Sequence, residues 1–196
     1  MYSKIVIGLD QSYARTGYSV CIDGVVKAAS FVCFDKAKNN TEKRFAVRAK
    51  LIDIYTALLK KGYSQGNDDQ FMIVVERIRQ FSKKFISMPY ITSTAAMIGM
   101  IIDWSYSKNI PVYSVDTRCW KSRVLGSSKS AGEQGNKSSS VKHAIKLGFK
   151  SKVVTIKTLK NGKQIIKYND DVADAICISQ FPFLNSDKSL LKQETI

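Results

Sequence analysis

Residues 5–10 read Ile-Val-Ile-Gly-Leu-Asp, with Gln11 and Ser12 directly after. Apolar residues around one glycine run into a single carboxylate, the pattern of a buried strand that ends in a charge. An isolated buried carboxylate is costly, so Asp10 wants a metal, a cation or a row of donors. Further carboxylates stand in two later stretches. Phe71–Glu76 (FMIVVE) ends in Glu76, and residues 169–175 (NDDVADA) carry Asp171 and Asp174. The reading of the fold turns on whether these acids meet.

The intervening residues predict that they do. Gly17–Ile22 alternates as a second strand, Asp23-Gly24 is a two-residue hairpin signal, and Val25–Phe34 returns as a third strand. Asn39 with Glu42 resembles a capping box. Behind it Phe45, Ala49, Ile52, Tyr55, Leu58 and Leu59 recur at helical spacing up to Gly62. Phe71–Glu76 is then a continuous apolar run, as in a strand buried on both faces. A helix between two strands predicts a crossover that lays the second parallel to the first, so that Asp10 and Glu76 reach the same edge.

A helix from Pro89 to about Lys108 follows, then a fifth strand at Pro111–Val115, and Asp116 as the cap of a helix Thr117–Leu125. Ser138–Leu147 is a short helix. Val153–Ile156 and Gln164–Tyr168 flank Asn161-Gly162 as a hairpin, Asp170–Phe181 is a helix stopped by Pro182, and the end beyond Asn185 is a polar, frayed tail. The expected fold is α/β: a five-stranded mixed sheet, three antiparallel strands then parallel ones, flanked by helices. It forms one domain over 1–185, with a basic hairpin insertion at about 151–168 and a tail over 186–196.

Asp171 and Asp174, three apart, share a helix face with Cβ atoms roughly 5–6 Å apart. Like charges that close repel unless a cation lies between them. With Asp10 and Glu76 they form an all-oxygen set, which selects Mg²⁺, with Mn²⁺ as a substitute, over zinc. Two such ions about 3.5–4 Å apart can clamp the attacking and leaving oxygens of a phosphodiester. Each acid also has a plain structural reading. Asp10 could be a turn residue, Glu76 a partner of Arg77 or Arg79, and Asp171 a helix cap. Asp116 is a rival acid at a strand end, and Asp170, four before Asp174, rivals Asp171. His143 reads as an exposed helix residue. Cys21, Cys33, Cys119 and Cys177 are scattered, with no CxxC pair, and read as reduced core residues of a cytosolic protein.

Charge narrows the partner. The formal net charge is +15 over 196 residues. Arg118 to Lys167 holds thirteen Lys and Arg against Glu133 alone, which is +12 of that total. So lopsided a field suits an anionic polymer, above all nucleic acid, although a merely soluble basic surface is the bland alternative. Expected DNA contacts are Arg77, Arg79 and Phe81 in the basic loop after Glu76, Lys129 in the small-polar stretch Gly126–Gly135, and Lys157, Lys160 and Lys163 in the hairpin segment. No apolar run reaches membrane-span length, and the N-terminus, which enters a strand at once, does not read as a signal peptide. A cytoplasmic site of action is expected, the host cytoplasm for a phage-encoded chain.

IVIGLDQSYARTGYSV, VVERI, KSRVLG with NKSSSVKHAI, and DVADAICIS together resemble the RuvC family of Holliday-junction resolvases in the ribonuclease H-like superfamily. They come in family order and cover most of Ile5–Gln180. The resemblance implies metal-binding catalytic acids at Asp10, Glu76, Asp171 and Asp174, and junction-contacting lysines at Lys121 and Lys137. It implies a homodimer whose sites cut opposing strands, in agreement with the two-fold symmetry of a four-way junction. The bacterial family has an aromatic three residues after its glutamate, where this chain has Arg79, with Phe81 the nearest aromatic. Phage- and poxvirus-encoded relatives carry such variations.

The activity expected is Mg²⁺-dependent, structure-selective cutting of Holliday and other branched DNA by paired nicks, in DNA recombination and repair. The alternatives are a related nuclease on flaps or structured RNA, and a non-catalytic nucleic-acid binding module, which has no need of clustered acids that repel phosphate. A sugar-kinase-like ATPase of the same superfamily would need glycine-rich phosphate loops and a second domain, and neither is visible.

Overall fold

A computed structural model describes residues 3–12, 14–63, 71–78, 88–126, 139–159, 161, 164–185 and 187–195. In chain order the elements are β1 (Ile5–Asp10), β2 (Thr16–Ile22), β3 (Val25–Val32), α1 (Asn40–Lys60), β4 (Phe71–Glu76), α2 (Met88–Tyr106), β5 (Val112–Val115), α3 (Thr117–Leu125), α4 (Ser139–Lys146), α5 (Lys150–Val153), β6 (Val154–Thr158), β7 (Gln164–Tyr168), α6 (Asp170–Leu184) and β8 (Leu191–Glu194).

The hairpin from β1 to β3 forms where the turn chemistry asks for it. Asp23 and Gly24 take φ of 51° and 81°, the left-handed pair of a tight turn whose twist suits the flanking strands. The Asn39 side chain caps α1 by accepting from Glu42 N–H at 2.9 Å, and that helix crosses over to β4. β1 pairs with β2 antiparallel and with β4 parallel, and β4 pairs with β5 parallel.

Parity along the strands then sorts the two faces. Ile5, Ile7 and Leu9 with Phe71, Ile73 and Val75 pack against Val47, Leu51 and Leu58 of α1 and Met97, Ile101 and Trp104 of α2. Val6, Met72, Val74 and Val115 pack against Trp120 of α3 and Cys177, Ile178 and Phe181 of α6. Asp10 and Glu76 have the parity of Val6 and Val74, so their side chains belong to the α6 side of the sheet.

Two glycines seat α6. A Cβ on Gly8 would lie 2.5 Å from the Ala175 carbonyl oxygen, and one on Gly17 would lie 2.0 Å from that of Asp171. Only glycine admits helix backbone at that distance. Beside the Gly8 contact Ser19 Oγ meets Ser179 Oγ at 2.9 Å, so the buried hydroxyls satisfy each other. Gly17 lies opposite Asp10 in the β1–β2 register. The first turn of α6 is thereby brought to the end of β1.

The sheet has six strands in the order β3-β2-β1-β4-β5-β8, not five. The sixth comes from the segment that reads as a frayed tail. Leu191–Glu194 pairs antiparallel with β5, and Ser114 Oγ donates to Glu194 Oε1 at 2.5 Å. β8 covers the β5 edge, a reason for its order that its own polar residues do not carry. Pro182 does not stop α6, which runs on to Leu184 with Pro182 and Phe181 buried. Packing of that last turn outweighs the local preference of proline. The hairpin β6–β7 is a separate two-stranded sheet. Cys33 is exposed, unlike buried Cys21 and Cys177, so not every cysteine is a core residue. Among the described residues no helix is long and apolar enough to cross a membrane.

Candidate metal centre and nucleic-acid interface

Asp10 ends β1 and Glu76 ends β4, one step beyond Leu9 and Val75, the last pair of the β1–β4 ladder. Asp171 and Asp174 come from the start of α6, where the helix dipole favours negative charge. These elements deliver the acids to one edge of the sheet. Asp10 is held well above the ordinary carboxylate range, first by burial and then by the charges of Glu76, Asp174 and Asp171, while Lys121 pulls it down. The Asp174 carboxyl is pushed up to about 7 by burial, with Glu76 and Asp170 adding to the rise and Ser140 and Lys121 opposing it. Asp171 is raised by burial and relieved by Arg15, whose Nε lies 3.3 Å from Asp171 Oδ2. Asp170 is exposed, and its charge is not among those felt at Asp10.

Asp174 Oδ1 is buried and has no hydrogen-bond partner among the described residues. An orphaned carboxylate oxygen in a field of other carboxylates suits a hard cation, and the donor set is all oxygen. Among the described residues, however, no three acidic, Cys or His side chains stand close enough together to hold one ion. Asp10 feels the charges of the other three, Asp171 is paired with Arg15, and a shared ion would need the acids closer. The chemistry of the set fits a divalent cation.

Glu76 is gripped by its neighbours. The Thr117 hydroxyl, in the first turn of α3, donates to Glu76 Oε1. The Gln11 side chain accepts from Glu76 N–H at 3.2 Å and donates back to the Glu76 carbonyl. Asp10, Gln11, Glu76, Arg77, Tyr90, Thr94 and Thr117 line a cavity of about 210 Å³. Asp116 caps α3, its Oδ1 accepting from Arg118 N–H at 2.8 Å, as its place before a helix predicts. His143 is half-buried, its Nε2 2.7 Å from Gln180 Oε1, rather than an exposed residue. The packing of α4 on α6 encloses it, and the spacing of α4 alone does not reveal that neighbour.

Lys121 on α3 lies near enough to lower both Asp10 and Asp174. Lys157 is exposed on β6. The Arg77 guanidinium is turned to β5, donating from Nε to Ser114 Oγ at 3.2 Å and from Nη2 to Ser114 O at 3.4 Å. Arg79, Phe81, Lys129, Lys137, Lys160 and Lys163 lie outside the described residues. Thr117, Arg15 and Ser140 were not legible as site residues. Thr117 alone carried a usable signal, as it follows the end of a strand parallel to the two that deliver Asp10 and Glu76.

No protein-family profile and no curated protein matches the chain. Solved structures do. Thermus thermophilus RuvC in complex with a Holliday junction substrate matches with a TM-score of 0.66 at 14% identity, over 97% of this chain and 99% of that one. A second Thermus thermophilus RuvC structure gives 0.62 at 16%, with the same coverage of 97% and 99%. The yeast mitochondrial Holliday junction resolvase Ydc2 gives 0.50 at 16%, over 91% of this chain and 77% of that one. The chain thus has the fold of these RuvC structures, a ribonuclease H-like fold, along almost its whole length.

Proposed function

We propose that this protein is a divalent-metal-dependent, structure-selective endodeoxyribonuclease that resolves four-way DNA junctions by paired nicks, acting in recombination and repair. One observation carries the reading: Asp10, at the end of β1, is buried where the charges of Glu76 from β4 and of Asp174 and Asp171 from α6 all reach it, beside Lys121. A structural role explains none of this, because burying acids together destabilises a fold. Those four residues would hold Mg²⁺ or Mn²⁺, which when bound supplies the Lewis acidity for in-line phosphodiester hydrolysis. Thr117 orients the Glu76 carboxylate. Lys121 offsets part of the negative charge, which otherwise repels a phosphate. Affinity comes from the basic half, Lys157 and Lys167 of the hairpin included, and selectivity from the shape of the branch point. A homodimer places two such sites across a two-fold symmetric substrate.

The test is a synthetic immobile four-way junction incubated with Mg²⁺ or with EDTA, beside flap, duplex and structured RNA substrates. Symmetric paired nicks in the junction that need the metal support the proposal. Preferred cutting of flaps or RNA, or equal cutting in EDTA, overturns it.

A further inference from the structure

The first strand ends at Asp10, but its hold on β4 does not. The parallel ladder pairs Ile5 with Phe71 through to Leu9 with Val75. Gln11 follows the strand, and its side chain reaches across to the Glu76 backbone. Oε1 accepts from Glu76 N–H at 3.2 Å, and Nε2 donates to Glu76 O. One primary amide therefore meets both backbone groups of one residue. It offers the same donor and acceptor that a neighbouring strand presents. Gln11 is only 6% exposed, so water does not compete for these bonds. Breaking them would leave polar groups unpaired in a dry place.

The requirement is specific to glutamine. Asparagine has the same groups but is one methylene shorter. Glutamate is acceptor-only when ionised and cannot donate to a carbonyl. Thr117 holds the carboxylate of the same residue, so Glu76 is fixed at both its backbone and its side-chain oxygen. A residue whose neighbours are like charges needs such restraint, since repulsion drives it outward.

We propose that Gln11 is a positioning residue: its side-chain amide adds one rung to the β1–β4 ladder and sets the place of Glu76 relative to Asp10. The proposal rests on the metal-nuclease reading given above. It does not make Gln11 a ligand, because its amide is turned to the Glu76 backbone.

The deciding variant is Gln11→Met, close in volume and without the amide, with Gln11→Leu read in the same way should Met disturb packing. Three quantities are measured on the full chain: Mn²⁺ affinity by titration calorimetry without DNA, hydrogen exchange at the Glu76 amide, and junction binding in EDTA. The expected result is an Mn²⁺ dissociation constant raised about tenfold or more, faster exchange at Glu76, and unchanged junction binding. Mn²⁺ affinity within twofold of wild type overturns the proposal. The two readings fail separately. Wild-type protein that binds Mn²⁺ yet cuts no branched DNA defeats the nuclease reading and leaves the rung intact. A wild type that cuts junctions, beside a Met variant that binds Mn²⁺ normally, defeats the rung alone.

Discussion

Asp10 is forced into a position where ionising is unfavourable, and Asp174 shares that position with a carboxyl near 7. Both shifts are upward from an ordinary 3.8, so in the metal-free protein the folded state binds more protons than the unfolded state between about pH 4 and 7. Stability from this source is fully present below pH 4 and is lost as pH rises through 7. The Tm of metal-free protein is therefore expected to fall from pH 5 to pH 8, and Asp174→Asn is expected to flatten that fall. Mg²⁺ should raise Tm more at pH 8 than at pH 5, which differential scanning fluorimetry reads directly. The same residues give the plainest catalytic test. Asp10→Asn, Glu76→Gln, Asp171→Asn and Asp174→Asn are each expected to abolish cleavage and to leave junction binding intact or stronger, because the proposed function assigns affinity to the basic residues. Gel-shift and nicking assays on the same preparations check this, and wild-type cutting in any two variants would remove the site assignment.

Among elements, α6 carries the most consequence, because it packs on β1, β2 and β3 and also bears two of the acids. Its approach depends on Gly17. Gly17→Ala would set a Cβ against helix backbone, which cannot move aside cheaply, so a loss of about 1–3 kcal/mol is expected. Cleavage should fall further than stability does, since the same shift displaces Asp171. Gly99, inside α2 with nothing within 4 Å of its would-be Cβ, is the contrasting case. Gly99→Ala is expected to stabilise by up to about 1 kcal/mol, read by urea unfolding. The hairpin β6–β7 raises a different question. Ile156 pairs with Ile166 on one face, and Lys157 and Lys167 lie on the other. An isolated two-stranded ribbon is marginal without a partner, and lysines without acids suit phosphate. Lys157→Gln with Lys167→Gln is expected to weaken DNA binding and to flatten its salt dependence, by about 0.9 in log–log slope for each duplex phosphate that is no longer neutralised. An unchanged slope would make the lysines guards against edge-to-edge pairing instead.

For the whole molecule, the net charge of +15, most of it between Arg118 and Lys167, sets a field that draws a polyanion, while Asp10, Glu76, Asp171 and Asp174 occupy one small edge. Binding and chemistry are thus separable, which is why the acid variants are expected to keep their affinity. A junction with two-fold symmetry asks for two sites. The α2 helix has a face to spare: Thr94, Met97, Ile101, Trp104 and Ser105 are buried in the molecule, while Tyr90, Ala95, Gly99 and Tyr106 are exposed. Sedimentation at micromolar concentration is expected to give a dimer, and Ala95→Arg to give a folded monomer that binds junctions but nicks them singly. A wild-type monomer would count against that interface.

The features legible in the chain alone are local in origin. Alternation and apolar runs placed β1 to β5, Asp23-Gly24 placed a turn, and Asn39 and Asp116 placed helix starts, since each rests on residues within a few positions of one another. The crossover rule then carried Asp10 and Glu76 to one edge. The remaining features depend on interactions across long separations, which no local pattern records. Gln11 bonds to Glu76 and Ser19 to Ser179, sixty-five and one hundred and sixty positions apart. The polar tail becomes β8 because β5 offers an open edge, and α6 runs past Pro182 because its last turn is buried. Glycines at 8 and 17 are ordinary strand residues until helix backbone arrives against them. Periodicity records which face of an element is buried, but not which distant residue it is buried against.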